Sequence, residues 1–315
     1  MCIFGDRKNK EELAIIERAE SDLAATVSDA GEEADSRKAE NAEKLSQELH
    51  VTESAPQKKQ TAEEKKEEPT RGAFYSSSRV FGKSEGELEA EFKDYKTRRL
   101  FKKISLMLTD PYMPKSEFDE KLETAVSLGL GGVSVLYDRL DYTLKKVKGA
   151  IEVNVCVCFP YAADDVKSKI AAVKNCVKTG VDAIEIPINL TDVSERNIRS
   201  VERDYRKLRA LAKNKNFILI AELSKMTPTD SGLLARICRA AGITWVKTSC
   251  ALPFSRIDDY ALNNLKAVLK GQAEVIACSS TDNADGVVSV FAIGAERFAG
   301  TEAIAIAKSL KKTVI

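Results

Sequence analysis

Three hundred and fifteen residues, 43% apolar and 31% charged, give enough chain for one large domain or two ordinary ones. Forty-nine basic against 48 acidic residues leave a net charge of +1, which points to neither nucleic acid nor an anionic membrane surface. No apolar run approaches the ~20 residues that cross a bilayer, and the opening MCIFGDRKNK lacks an export signal, so a cytoplasmic protein with no membrane partner is expected.

Residues 1–72 carry 12 Lys/Arg and 18 Asp/Glu, with almost nothing to bury in 29–72. Such a segment cannot offset its ordering entropy and is expected to be a largely disordered extension with transient helix. Within it, 11–26 places Leu13, Ile16, Ala19 and Leu23 on one helical face, either a partner-docking helix or a solvated one that frays. The sequence names no partner for this tail. Residues 73–102 read as a lead-in with a helix from 85.

A regular alternation follows over 103–315. Strands are predicted at 104–108, 132–137, 152–160, 182–189, 217–223, 243–249, 274–280 and 297–299. Between and after them the pattern predicts helices at 115–128, 141–149, 164–179, 193–212, 228–241, 257–269, 282–293 and 302–311. Continuous β-branched strands without alternation mean both faces are buried, as in a parallel sheet. Gly129, Gly180, Gly242 and Gly294 each stand where a left-handed helix cap precedes the next strand. Eight strand–helix units in about 210 residues fit a compact (β/α)8 barrel. An open doubly wound sheet would want a Gly-rich loop after its first strand, and none is present.

The single histidine, His50, lies in the polar extension. Serine–histidine and cysteine–histidine nucleophilic sites, and His-ligated zinc, are therefore excluded from 51–315. The seven cysteines form no CxxC pair and no metal spacing, and read as reduced thiols packed as small hydrophobes. There is no nucleotide fingerprint, and neither metal nor cofactor is expected.

In a (β/α)8 barrel the site is built at the carboxyl ends of the strands. The polar residues in or just past strands are Asn154, Glu185, Asn189, Glu222, Lys225, Lys247, Thr248 and Ser249. Lys247, inside the apolar ITWVKTS, must be desolvated or reach the mouth. Burial lowers a lysine pKa, and a neutral amine attacks a carbonyl to form a Schiff base. The structural alternative is a lysine paired with a buried carboxylate, Glu185 or Glu222. Glu185, inside DAIEIPIN, could shuttle protons in such a site. Cys156 and Cys158 share a face of the third strand and read as packing residues.

The order VCVCFPYAADDVKSKIAAVKNCVKTGVDAIEIPIN, LIAEL, WVKTS and GAERFAGTEA resembles the deoxyribose-phosphate aldolase family over about residues 103–310. The most specific match is VKTS at 246–249, the family's strand-six motif with its Schiff-base lysine. The resemblance implies a (β/α)8 barrel and a class I aldol reaction. Its substrate would be 2-deoxyribose 5-phosphate, cleaved to acetaldehyde and glyceraldehyde 3-phosphate. Lys247 and Glu185 would then be catalytic, with Asn154, Glu222, Thr248, Ser249, Ser279, Ser280, Gly300 and Thr301 binding substrate.

Departures are specific. The family's fourth-strand aspartate is here Glu185, and its seventh-strand lysine aligns with Ile276. The glycine pair after that strand aligns with Ser279 and Ser280, and the glycine after the lysine motif is replaced as KTS runs on into CALPF. A Ser-Ser-Gly run aligns with Thr301, Glu302 and Ala303, which sets a carboxylate where a phosphate would bind. Lys225 could replace the lost cation and tune the amine. Two readings stay open: an aldolase acting on a small aldehyde or sugar, or a non-catalytic barrel serving as a binding or scaffold module. A homo-oligomer also stays open.

Overall fold

A computed structural model describes residues 85–314 apart from 253, 254, 256 and 281–283. The charged extension predicted over 1–72, the helix predicted over 11–26 and His50 lie outside the described residues.

Helix α1 (Glu85–Lys102) leads into β1 (Ile104–Leu108), α2 (Lys115–Leu128), β2 (Gly132–Leu136) and α3 (Leu140–Val147). The middle of the chain forms β3 (Glu152–Cys156), α4 (Val166–Lys178), β4 (Ala183–Pro187), α5 (Leu190–Ser194), α6 (Ile198–Leu211) and β5 (Asn216–Ile220). The last part is α7 (Pro228–Ala241), β6 (Trp245–Lys247), α8 (Asp259–Leu269), β7 (Glu274–Ser279), α9 (Ala284–Ile293), β8 (Arg297–Gly300) and α10 (Ala303–Val314). The strands pair in parallel in chain order and β8 closes on β1, which is the expected (β/α)8 barrel. Among the described residues, no helix is long and apolar enough to cross a membrane.

Local signals account for the element ends. Thr227 and Asp230 form a capping box around Pro228 at the start of α7, satisfying donors that a helix start leaves open. Asp165 caps α4 by accepting from the Lys167 and Ser168 amides. Gly129 and Gly242 end α2 and α7 in the left-handed region. The predicted helix over 193–212 is instead two, because Arg196 takes φ +58° and the Asn197 amide turns back to the Asp192 carbonyl. The predicted β6 is trimmed at its end, since Thr248 and Ser249 bond the backbone of β7 through their side chains.

Odd-numbered residues of β2 and β3 and their equivalents face outward under the helices. Val133, Val135, Val153, Val155, Ile184 and Phe217 join one continuous apolar layer with Phe118, Leu122 and Leu208. A second, smaller cluster fills the barrel: Met107, Cys156, Ala183, Ile218, Ile276, Cys278 and Ala299. With the strand register, these inward residues sort into tiers of four drawn from alternate strands, as barrel closure requires. At the amino-terminal end lie Gly132, Ala183, Trp245 and Arg297. Ser105, Asn154, Ile218 and Ile276 form the next tier. Ser134, Glu185, Lys247 and Ala299 follow, and Met107, Cys156, Ile220 and Cys278 lie on the mouth side of them, with Leu136 and Pro187 beyond. Arg297 closes the floor, ion-paired to Glu152 at 2.6 Å and stacked 5.0 Å from the Trp245 ring.

Candidate active site

Lys247 ends β6 with its side chain inside the barrel, 1% exposed, and Glu185 of β4 is fully buried in the same tier. Their separation is 2.6 Å between Nζ and Oε2. The Ser134 hydroxyl completes the group: it donates to Glu185 Oε1 at 2.9 Å and lies 3.2 Å from Lys247 Nζ. Two sulfur atoms cover it, Met107 Sδ at 3.4 Å from Nζ and Cys156 Sγ at 3.4 Å from Glu185 Oε2. Of the two carboxylates considered as partners for Lys247, Glu185 is the one that pairs.

The expected depression of the lysine is reversed. Burial disfavours the ammonium, but the charge and hydrogen bond of Glu185, with smaller contributions from Cys278 and Cys156, together hold Lys247 above its ordinary value. Lys225 stands exposed in a 3₁₀ turn (Leu223–Lys225) at the barrel mouth. Ile276 is the residue paired with Lys247 in the β6–β7 ladder, and its apolar side chain lies one tier below, so the position that aligns with the resembled family's second lysine carries no charge.

Glu222 serves the mouth itself. Its oxygens accept from the Cys250 amide at 3.0 Å, the Ser255 hydroxyl at 2.9 Å and the Ser224 hydroxyl at 2.7 Å. These bonds hold a backbone with φ +56°, a conformation that costs about 1–3 kcal/mol outside glycine. Thr248 Oγ1 accepts from the Cys278 amide at 2.8 Å and Ser249 Oγ donates to the Cys278 carbonyl at 2.6 Å. Ser279 is buried against the Ser255 carbonyl, and Ser280 is half-buried just beyond β7. Gly300 is packed so closely that a Cβ there would stand 2.8 Å from the Ser279 carbonyl oxygen. Thr301 and Glu302 are half-buried in the turn before α10, where the Glu302 carbonyl accepts from the Ile306 amide. Glu302 therefore stands at the amino-terminal end of α10.

Asn154 lies one tier below Lys247, and its Oδ1 is buried without a hydrogen-bond partner. Asn189 caps α5 by accepting from the Thr191 amide. Cys156 and Cys158 do not share a face: β3 ends at Cys156, and Cys158 turns out at φ +55°. Burial and the adjoining Glu185 charge push the Cys156 thiol well up, and burial raises Cys278 to about 12, so both stay protonated at neutral pH and react slowly with thiol reagents. Among the described residues, no group of three or more His, Cys, Asp or Glu could hold a metal ion. Ser134 was absent from the sequence-derived candidates, although a hydroxyl inside GVSVL carries the same signal that singled out Asn154. Met107 carries no such signal, being one apolar residue among five in ISLML.

Fold and interior define a (β/α)8 barrel whose wall carries a buried lysine–glutamate pair on strands six and four. No family model matches the chain. Deoxyribose-phosphate aldolase of Mycoplasma mobile is 24% identical over 198 residues, covering 62% of this chain and 91% of that protein. The enzyme of that name from Streptococcus gordonii is 24% identical over 214 residues, 67% of this chain and 96% of its own. Among solved structures, a putative deoxyribose-phosphate aldolase from Coccidioides immitis superposes with a TM-score of 0.65 at 20% identity, covering 68% and 87% of the two chains. The tetrameric deoxyribose phosphate aldolase of Aeropyrum pernix gives 0.60 at 17% identity, over 69% and 93%. In sequence the chain is similar, as a divergent relative, to deoxyribose-phosphate aldolases, and it shares the barrel fold of the solved structures that carry that name.

Proposed function

We propose that the protein is a class I aldolase that forms an imine on Lys247, with Glu185 as its proton relay. The observation that carries this reading is the lysine–carboxylate pair, 2.6 Å apart inside the barrel wall. The ammonium passes one proton to Glu185, and the freed amine attacks the substrate carbonyl carbon. The new nitrogen passes one proton to the oxygen to form the carbinolamine, whose hydroxyl takes the proton held on Glu185 and leaves as water, giving the protonated imine and restoring the carboxylate. Ser134, bonded to both partners, holds the carboxylate in line. The neutral amine thus arises by transfer within the pair rather than by a neighbouring cation.

The substrate is a small aldehyde or an unphosphorylated sugar, with acetaldehyde as the donor implied by the family. Glu302 at the start of α10 opposes a dianion there. Residues 103–315 are the working barrel, with 1–72 an appended segment and 73–102 its lead-in.

The test is trapping by acetaldehyde and borohydride, mapped by peptide mass. Native protein gains an ethyl group on Lys247, Lys247→Leu gains none in the barrel, and Ile276→Lys traps at lower pH than native. Adducts confined to surface lysines would sink the catalytic reading and leave a non-catalytic barrel in its place.

A further inference from the structure

Resting on the imine reading of Lys247, we infer that Met107 is the gate to the amine and confines the substrate to small, unbranched, uncharged aldehydes. The amine does not open directly to the mouth. Met107, Cys156, Ile220 and Cys278 close over it as one tier, none more than 2% exposed. A carbonyl compound must pass between them, so one of the four has to withdraw.

Three are poorly placed to do so. Ile220 is β-branched, stiff at χ1, and its strand is paired on both sides. Cys156 and Cys278 have a single side-chain torsion each, and the Cys278 amide and carbonyl are tied to Thr248 and Ser249. Met107 has three soft torsions and a polarisable sulfur that repacks at little cost. Its Sδ lies 3.4 Å from Nζ.

Withdrawal of one unbranched chain opens a passage for a solute of similar girth. The lining is thiol and aliphatic, so a dianion or ammonium would lose its hydration there without recompense. Acetaldehyde and propanal fit this description. Pivaldehyde, equally reactive in kind but branched at the carbon next to the carbonyl, does not.

The experiment compares the full-length protein with Met107→Ala and Met107→Leu, using two readouts. The first is the rate of reductive adduct formation on Lys247 by acetaldehyde, propanal and pivaldehyde, each normalised to the exposed Lys207 of the same sample. The second, independent of any imine, is labelling of Cys156 and Cys278 by methyl methanethiosulfonate. In native protein, pivaldehyde should lag acetaldehyde on Lys247 by about tenfold or more after normalisation. Met107→Ala should erase most of that lag and speed labelling of both thiols by about tenfold, while Met107→Leu stays near native. Unchanged thiol labelling in Met107→Ala overturns the gate whatever the lysine does. Faster thiol labelling with no Lys247 adduct in any variant leaves the gate standing and removes the imine reading. Should Met107→Ala fail to fold, an equal normalised rate for acetaldehyde and pivaldehyde in native protein overturns the gate by itself.

Discussion

Replacing Glu185 by glutamine tests the interior pair most directly, because it removes one charge and keeps the shape. Native Lys247 is held above its ordinary 10.5 by Glu185 against the opposing effect of burial. Without that carboxylate its remaining near neighbours are Ser134 Oγ, Met107 Sδ and the Cys156 and Cys278 thiols, whose own raised values keep them uncharged near neutral pH. Burial then dominates and the folded-state value falls below the ordinary one. Breaking a buried pair from one side costs about 3–5 kcal/mol near neutral pH.

The pH dependence distinguishes this from simple loss of packing. In native protein the folded value is raised, so the pair's contribution is fully present below 10.5 and is lost as pH climbs through the folded value. In Glu185→Gln the folded value is depressed, so the unfolded chain binds more protons between the two values. Stability of the variant therefore rises with pH across that window, by about 1.4 kcal/mol per pH unit, and the penalty vanishes above 10.5. Urea melts at pH 7, 8.5 and 10, with far-UV circular dichroism as readout, give the two slopes. Parallel slopes for native and variant would refute a buried, charged Lys247.

Two further outcomes follow from local geometry. Gly131→Ala should lose about 3 kcal/mol or more, since a Cβ would stand 2.2 Å from the Lys102 carbonyl oxygen; Gly232→Ala, with nothing within 4 Å, should gain about 0.5–1 kcal/mol of helix stability, both read by urea melts. Deoxyribose 5-phosphate should bind no better than deoxyribose by calorimetry, and Glu302→Ser should favour the phosphorylated sugar selectively; tighter phosphate binding by native protein would show that Glu302 does not face it.

What the sequence made legible was what neighbouring residues decide. ISLML at 104–108, the helix at 115–128 and the helix at 228–241 were readable to the residue because apolar runs, Pro228 and the glycine caps act within one turn. Lys247 and Glu185 stood out because charge inside an apolar strand is costly wherever the strand lies. Contacts set by barrel closure were out of reach. Met107 and Lys247 are 140 positions and four intervening strands apart, and Ser134 and Glu185 are 51 positions and one strand apart; only barrel closure and register bring them together. The sign of the lysine shift was missed for the same reason, since desolvation is visible in a strand pattern and the distance to a carboxylate is not.

The chain's one tryptophan, Trp245, is part of the barrel floor, two residues before Lys247 on the same strand and stacked against Arg297. The protein thus carries a built-in optical label at a known depth. Its ultraviolet emission arises from a single indole below the lysine, with no second emitter of that kind elsewhere in the chain to blur it. A small aldehyde that joins Lys247 alters the surroundings of that indole, whereas one that reacts only with lysines on the outside leaves them as they were. Stopped-flow emission can therefore time events in the barrel interior without dye, cysteine substitution or isotope.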